Sequence, residues 1–147
     1  MIQVEEIMTR HPVTLGPNDS LDKAARLMNS HRIRHIPIVG AATEFLGLIT
    51  QRDLLATSGG AGKYQLKDVM RRKVRTTSEH ESLRAAALLM QKHKIGSLPV
   101  LRGDKLVGII TDTDYVAVAI TLIEQLEETE LEEMEFDEPD PDHYAED

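Results

Sequence analysis

The chain has 147 residues, no cysteine, two Phe, three Tyr, no Trp and a formal net charge of −8 at pH 7. The lack of cysteine excludes disulfides, cysteine-ligated zinc and a thiol nucleophile, and the few aromatic side chains leave little material for stacking nucleic-acid bases. No apolar run approaches the roughly 18 residues of a membrane span, and the N-terminal segment lacks a signal-peptide core, so we expect a cytoplasmic protein without a membrane partner.

Charge is divided unevenly along the chain. All 17 Lys and Arg residues lie within residues 1–123, whereas residues 124–147 hold 13 of the 25 acidic residues. The body is therefore mildly basic and the end of the chain strongly acidic. We interpret the acidic stretch as a solubilising extension, with a partner-binding or self-shielding role as the alternative.

The predicted elements, taken in chain order, occur twice. Residues 8–55 and 70–116 match each other at an offset of 62 residues in their first part and 61 from Gly47 and Gly108 onward. Each copy is marginal for an independent core, so we expect the two to fold together and to bury their apolar faces against each other. A module of two copies should also present equivalent clefts.

Each copy begins with a short β-type segment, Pro12–Leu15 or Val74–Thr77. A helix follows, for which Ser20 and Ser82 are well placed as N-caps because a serine oxygen can accept from first-turn N–H groups. Apolar residues recur at helical spacing in both helices, namely Leu21, Ala24, Ala25 and Met28 in the first copy and Leu83, Ala86, Ala87 and Met90 in the second.

Two apolar runs of strand length come next in each copy, joined by turn-like links. They are Ile36–Val39 and Phe45–Ile49, then Leu98–Leu101 and Leu106–Ile110. A second helix begins near the threonine that ends each second run, which completes a β-α-β-β-α unit and places the chain in the α/β (α+β) class. Residues 57–62 form a predicted flexible linker, the last helix continues beyond the second repeat, and the sequence from Asp137 is typical of disorder.

The motif with the clearest chemical content is Gly-x-x-Thr-x-x-Asp, found at 47–53 and 108–114. A helix N-terminus favours phosphate, the Thr hydroxyl can donate to a phosphate oxygen, and a carboxylate one turn along can accept ribose hydroxyls. The alternative is a capping box, in which Thr and Asp satisfy each other's backbone donors. The pattern alone leaves both interpretations open.

Each of the two copies, with these segments in the same order, resembles the CBS domain, named after cystathionine β-synthase. The resemblance covers about residues 4–120 and rests on Met8-Thr9 and Met70-Arg71 at the unit starts, on Ile33-x-x-Ile36-Pro37 and Ile95-x-x-Leu98-Pro99, and on the two Gly-x-x-Thr-x-x-Asp segments. The chain looks like a stand-alone bacterial CBS pair. The resemblance implies repeats at 1–60 and 61–123 that pack as a pseudo-twofold pair, then an acidic helical extension and tail at 124–147.

The resemblance also implies a ligand, an adenine nucleotide such as AMP, ADP or ATP, in two clefts between the repeats; S-adenosylmethionine and other adenosyl compounds stay open. Thr50 and Thr111 would face phosphate, and Asp53 and Asp114 would bind ribose. The other residues implied at the base or near the clefts are Thr14, Arg34, His35, Ile36, Pro37, Thr76, Gly96, Ser97, Leu98 and Pro99.

We expect the two clefts to differ, because Arg34 and His35 add positive charge in the first unit where Gly96 and Ser97 add only room in the second. Arg34 can make a forked contact to phosphate, and its alternative is a solvated surface arginine. For His35 a surface or packing role is the alternative.

Two further features have ordinary explanations beside functional ones. His31 and His93 lie near the ends of the first helices, where a cation offsets the helix dipole; metal binding is the alternative, although no His-x-x-x-His spacing occurs. The basic stretch Arg71–Arg75 could attract nucleic acid, but it is short and lacks aromatic residues, so we interpret it as a solvated loop.

We therefore expect a non-catalytic regulatory module that binds an adenine nucleotide, needs no cofactor or metal, and forms a homodimer near its extended last helix. The alternative is a dimerisation or protein-interaction module with vestigial clefts and an unidentified protein partner. An enzyme would need an acid–base or nucleophile constellation that the sequence does not contain.

Overall fold

The computed structural model describes residues 1–57 and 62–136, and within them the two predicted repeats follow one another. A 3₁₀ turn at Val4–Glu6 comes first. The first repeat contains β1 (Thr9–Arg10), α1 (Leu21–His31), β2 (His35–Val39), β3 (Phe45–Thr50) and α2 (Gln51–Ala56). The second contains α3 (Leu66–Val69), β4 (Thr77–Ser78), α4 (Leu83–His93), β5 (Ser97–Arg102), β6 (Lys105–Thr111) and α5 (Asp112–Phe136).

The chain divides into two compact units, residues 1–112 and residues 113–147. The first unit holds both sheets and the core, and the second consists, where described, of α5 beyond its first residue. The predicted continuation of the last helix is confirmed, since α5 runs to Phe136. Most of the predicted linker (residues 58–61) and the predicted disordered segment (residues 137–147) lie outside the described residues.

Both predicted N-caps are confirmed. Ser20 Oγ accepts from the Lys23 amide at 3.1 Å, and Ser82 Oγ accepts from the Ala85 amide at 2.9 Å. Each of these two helices is followed by a C-cap residue with left-handed backbone, Arg32 after α1 and Lys94 after α4. The predicted apolar stripe of α1 is buried at Leu21, Ala24 and Met28, but Ala25 is exposed.

The strands form a two-stranded antiparallel sheet, β2-β3, and a four-stranded sheet in the order β1-β6-β5-β4, in which β4 is parallel to β5. The opening β-type segments are shorter than predicted. In the first repeat only Leu15 pairs, in parallel with Ile38, and in the second the strand is Thr77–Ser78. Pro12 and Pro17 lack backbone N–H groups, which limits pairing around Leu15.

The repeats exchange their first segments. The Val4 amide donates to the Glu81 carbonyl at 2.9 Å, and the Leu83 amide donates to the Ile2 carbonyl at 2.8 Å, so the N-terminal segment is bonded to the second repeat. β1 likewise pairs with β6. The segment after the linker makes the reverse exchange, since the Leu66 amide donates to the Asp19 carbonyl of the first repeat at 2.9 Å.

The glycine of the repeated motif allows these exchanged segments to approach. A Cβ on Gly108 would lie 2.6 Å from Met8 Sδ and 2.9 Å from the Thr9 carbonyl oxygen, and a Cβ on Gly47 would lie 2.7 Å from the Arg71 carbonyl oxygen. Real Cβ atoms are not found this close to their neighbours. The motif therefore contains glycine for backbone packing between the repeats.

Exchanged residues also complete the core. Leu66 and Met70, from the start of the second repeat in sequence, belong to the buried cluster of the first. The remaining members of that cluster are Leu15, Leu21, Ala24, Met28, Ile36, Ile38 and Ile49. The core of the first repeat is thus not made from its own residues alone.

Candidate functional site

A cleft of about 590 Å³ lies within the first compact unit and takes its lining from both repeats. Its lining includes six Lys and Arg residues, two His residues and a single carboxylate. The residues are Arg34, His35, Leu48, Thr50, Gln51, Arg52, Arg71, Lys73, Val74, Arg75, His93, Lys94, Ile95, Gly96, Ser97 and Asp112. The cleft is therefore strongly cationic.

Five of the predicted site residues line this one cleft: Arg34, His35, Thr50, Gly96 and Ser97. The sequence distributed them between two clefts, one for each repeat, whereas the structure brings them together. Backbone hydrogen bonds hold the residues just before β2 and β5 against the first residues of α2 and α5. The Gln51 amide donates to the Arg34 carbonyl at 2.9 Å, and the Asp112 amide donates to the Gly96 carbonyl at 3.0 Å.

Arg34 makes an ion pair across the repeats. Its Nη2 atom donates to both carboxylate oxygens of Asp112, at 3.2 and 3.1 Å. Both side chains are about half exposed, and an exposed pair of this kind contributes little to stability. The pair compensates charge at the cleft, and the other nitrogens of the Arg34 guanidinium can still donate to a ligand.

His35 lies beside this pair in a crowded part of the cleft. A Cβ on Gly96 would be 3.3 Å from the His35 ring and 3.3 Å from Asp112 Oδ2, so the absence of a side chain at Gly96 leaves the room that the cleft needs. Burial lowers the pKa of His35, although the Asp112 carboxylate opposes the shift. The ring is consequently neutral near pH 7, with one nitrogen that donates and one that accepts.

Thr50 and Asp53 form a complete capping box. The Asp53 amide donates to Thr50 Oγ1 at 3.2 Å, and the Thr50 amide donates to Asp53 Oδ2 at 3.1 Å. Arg71 adds a bidentate ion pair to the same carboxylate, with Nη2 3.0 Å from Oδ1. Burial tends to raise the pKa of Asp53, but the hydrogen bonds from Arg71 and Thr50 outweigh it and hold the pKa below its usual value. The capping alternative is thus present in the structure at this motif.

The other predicted site residues lie elsewhere. Ile36, Pro37, Leu98 and Pro99 are buried in the core, with their side chains closed to solvent. Thr14 is half-buried and precedes Leu15, which pairs with β2.

Thr76 lines a second cavity of about 550 Å³ beside α4, which contains none of the other predicted residues. Thr111 ends β6 in the first unit, and Asp114 lies in the first turn of α5 in the second.

Several cleft residues were not predicted as site residues, above all Arg52, Lys73, Arg75 and Lys94. Lys73 and Arg75 belong to the basic stretch that the sequence analysis interpreted as a solvated loop. The sequence did not indicate that the repeats exchange segments. The backbones of Arg71 and Leu48 hydrogen-bond each other at 2.8 and 2.9 Å, which brings the basic stretch to the first repeat. A signal was available in its four cationic residues within five positions.

Two negative findings concern the described residues. Within residues 1–57 and 62–136, no group of three or more His, Asp or Glu side chains is arranged to hold a metal ion. No helix in the same part of the chain has the length and apolarity to cross a membrane. His31 and His93, the predicted dipole-compensating residues, are the last residues of α1 and α4.

A family comparison matches residues 4–60 and 66–120 to the CBS domain. The chain spans only 22% of the length of a curated relative, a homoserine O-acetyltransferase of Methanocorpusculum labreanum, with 36% identity over 110 residues and 74% of this chain covered.

Solved structures are similar over most of the chain. A Vibrio cholerae protein described as an acetoin utilization protein (AcuB) is 48% identical, with a TM-score of 0.80, over 87% of this chain and 97% of that one. The CBS domain pair of protein MJ0100, in complex with 5-methylthioadenosine and S-adenosyl-L-methionine, is 30% identical, with a TM-score of 0.74, over 80% and 95%. CBSX2 in complex with AMP is 25% identical, with a TM-score of 0.75, over 83% and 98%.

Proposed function

The chain belongs to the CBS-domain family, and from this membership and the cationic cleft we propose that it is a regulatory module that binds an adenine nucleotide. The proposal assigns no catalytic step to the chain. The free energy of binding would instead bias the conformation or the partner choice of the protein, which is a coupling between the cleft and a second surface.

The observation that carries the proposal is the composition of the 590 Å³ cleft. Its volume falls in the range of small-molecule sites, about 300–1,000 Å³. Six Lys and Arg side chains supply charge for phosphate. A neutral His35 and the backbone around Gly96 supply directional hydrogen bonds for an uncharged base, and the Thr50 hydroxyl supplies one for phosphate. Relatives with 25–30% identity bind AMP, S-adenosyl-L-methionine or 5-methylthioadenosine, which supports an adenosyl ligand.

We also propose a role for individual residues. The groups around Arg34, His35, Gly96 and Ser97 would contact the base, and Thr50 would face phosphate. Asp53 would bind ribose while it stays bonded to Arg71, because a carboxylate has about four acceptor sites.

Calorimetric titration with adenosine, AMP and ATP tests the proposal, with GTP as the comparison for base selectivity. At about a hundredfold excess of ligand over Kd, binding should stabilise the fold by about 2.7 kcal/mol and raise Tm by several degrees. Gly96→Val should weaken binding because it fills the cleft beside His35, and the matched change Gly62→Val should not, because nothing lies within 4 Å of Gly62. If no adenosyl compound binds or shifts Tm, the proposal is wrong.

A second candidate is a protein-interaction module, and the exposed face of α5 favours it. Val116, Ile120, Ile123 and Leu126 are all more than half exposed at spacings that place them along one side of a helix. Under this alternative the cleft is vestigial, and the protein would bind a partner with equal affinity in the presence and absence of nucleotide.

A further inference from the structure

The cleft contains more positive charge than its own carboxylates compensate. Of its six Lys and Arg residues, two have acidic partners: Arg34 pairs with Asp112 at 3.1 Å, and Arg71 pairs with Asp53 at 3.0 Å. The other four are Arg52, Lys73, Arg75 and Lys94. Across residues 1–57 and 62–136, none of these four forms an ion pair.

These four cations come from three different parts of the fold. Arg52 is in the first turn of α2, Lys73 and Arg75 follow α3, and Lys94 is the C-cap of α4. Their convergence on one cleft is unfavourable in the free protein because like charges repel. A bound anion relieves this repulsion, and the relief grows with the charge of the anion.

We propose that the preferred ligand of the cleft is a nucleoside triphosphate rather than a monophosphate, with its phosphate chain held by Arg52, Lys73, Arg75 and Lys94. This inference rests on the proposed function and specifies its ligand. A single phosphate ester carries a charge of about −1.5 to −2 at neutral pH, roughly half of what four cations can balance. Each further phosphate supplies more negative charge and more acceptor oxygens.

The compensated part of the cleft suits the uncharged end of such a ligand. The Arg34–Asp112 pair has no net charge, and His35 beside it is held neutral by burial. Gly96 leaves space next to both. A nucleoside can therefore occupy these groups, whereas a bare phosphate chain would leave them unused.

A single-stranded nucleic acid fits the cleft less well than a free nucleotide. Proteins that bind single strands combine positive charge with aromatic side chains on which bases stack. No Phe, Tyr or Trp is among the residues that line the cleft. The cleft also has the volume of a small-molecule site.

The test compares Kd values for adenosine, AMP, ATP and inorganic tripolyphosphate, measured by calorimetry on the full chain at two salt concentrations without divalent cations. We expect ATP to bind about tenfold or more tightly than AMP, as additional charge-assisted contacts predict, and the ratio to fall as salt screens the exposed charges.

Two variants test the assigned residues. The double variant Lys73→Gln/Arg75→Gln should weaken ATP much more than adenosine and bring the ATP and AMP affinities together. The matched control is Arg72→Gln, an exposed cation of the same stretch that bonds the Lys67 carbonyl and does not line the cleft; it should leave the ratio unchanged. Tm without ligand verifies that each variant folds.

The outcomes separate this inference from the proposed function. Equal Kd values for AMP and ATP in the wild-type protein would overturn the triphosphate preference and leave the nucleotide-binding module intact. Tripolyphosphate as tight as ATP, or a short oligoadenylate that binds more tightly than ATP, would overturn the assignment to a nucleoside triphosphate. No binding by adenosine, AMP or ATP would remove the proposed function itself.

Discussion

The carboxylate of Asp53 is held by three donor nitrogens from two residues, Thr50 and Arg71. It accepts from the Thr50 amide at 3.1 Å and from two nitrogens of Arg71 at 3.0–3.2 Å, and its side chain is 15% exposed. The sequence motif allowed either a cap or a ribose ligand, and no local pattern could decide between them. The partner that fixes its orientation, Arg71, lies 18 positions along the chain.

Asp53→Ala should destabilise the protein at pH 7 by about 1–2 kcal/mol, because it removes half of a capping box and leaves Arg71 without its partner. The folded-state pKa of Asp53 is lowered, so its contribution is present above the unfolded value of 3.8 and is lost as the pH falls through the folded-state value. Thermal unfolding at pH 7 and pH 3 measures both effects. Asp53→Asn keeps an acceptor for the Thr50 amide and should lose less stability at pH 7 than Asp53→Ala. If Asp53→Ala loses as much stability at pH 3 as at pH 7, the charge-based account is contradicted.

At the scale of elements, local sequence patterns predicted the helix caps and the positions of four strands. Ser20 and Ser82 were identified as N-caps because their hydroxyls act within one turn, and the apolar runs gave four strands to within one or two residues. The pairing of β1 with β6 was not predicted, because a two-residue strand has no period and its partner lies about 100 positions away. The position of the basic stretch at the cleft was missed because it depends on the backbone pairing of Arg71 with Leu48 of the first repeat, which no local pattern indicates.

Gly108→Ala tests the close approach of the exchanged segments. Its Cβ would meet Met8 Sδ and the Thr9 carbonyl oxygen at 2.6 and 2.9 Å, and the backbone oxygen cannot move without disturbing the β1-β6 pairing. We expect a loss of about 1–3 kcal/mol, as for other overpacked sites, measured by urea unfolding. Gly62→Ala is the control, since a Cβ there meets nothing within 4 Å. Equal stabilities of the two variants would show that Gly108 is not required for packing.

At the scale of the whole molecule, the positive charge, the negative charge and the exposed apolar surface of α5 lie in different segments of the chain. All Lys and Arg residues lie in residues 1–123 and half of the acidic residues lie beyond them. α5 exposes apolar side chains along residues 116–126 and is exposed throughout its described side chains from 127 to 135. Among the described residues, the last part of α5 therefore contributes no side chain to the buried core.

Truncation after Leu126 should therefore leave Tm within a few degrees of the full chain, because the described side chains that it removes are exposed and mostly charged. Differential scanning calorimetry provides the measurement. A truncated protein that unfolds cooperatively only at much lower temperature would show that Leu131 and Met134, both exposed in the single chain, are buried in an assembly.

The homodimer predicted from the sequence can be tested at the exposed apolar side of α5. Ile120→Glu with Ile123→Glu places two charges on the apolar side of the helix and should convert a dimer to a monomer in sedimentation analysis. Gln125→Glu is the control, since at 100° per residue it lies on the opposite side from Ile120 and Ile123. A wild-type protein that is monomeric at high micromolar concentration would contradict the proposal.

The location of the bound nucleotide is the most direct test of the central claim, that one cleft built from both repeats binds an adenine nucleotide. Backbone amide NMR spectra recorded during titration with ATP give this location. The account predicts saturable shifts at Gln51, Arg52, Lys73, Arg75 and Lys94 to Ser97, the residues that line the cleft, with little change at the second cavity beside α4. Unchanged spectra at millimolar ATP, or shifts centred on Thr76, Ala85 and Leu89 instead, would contradict it.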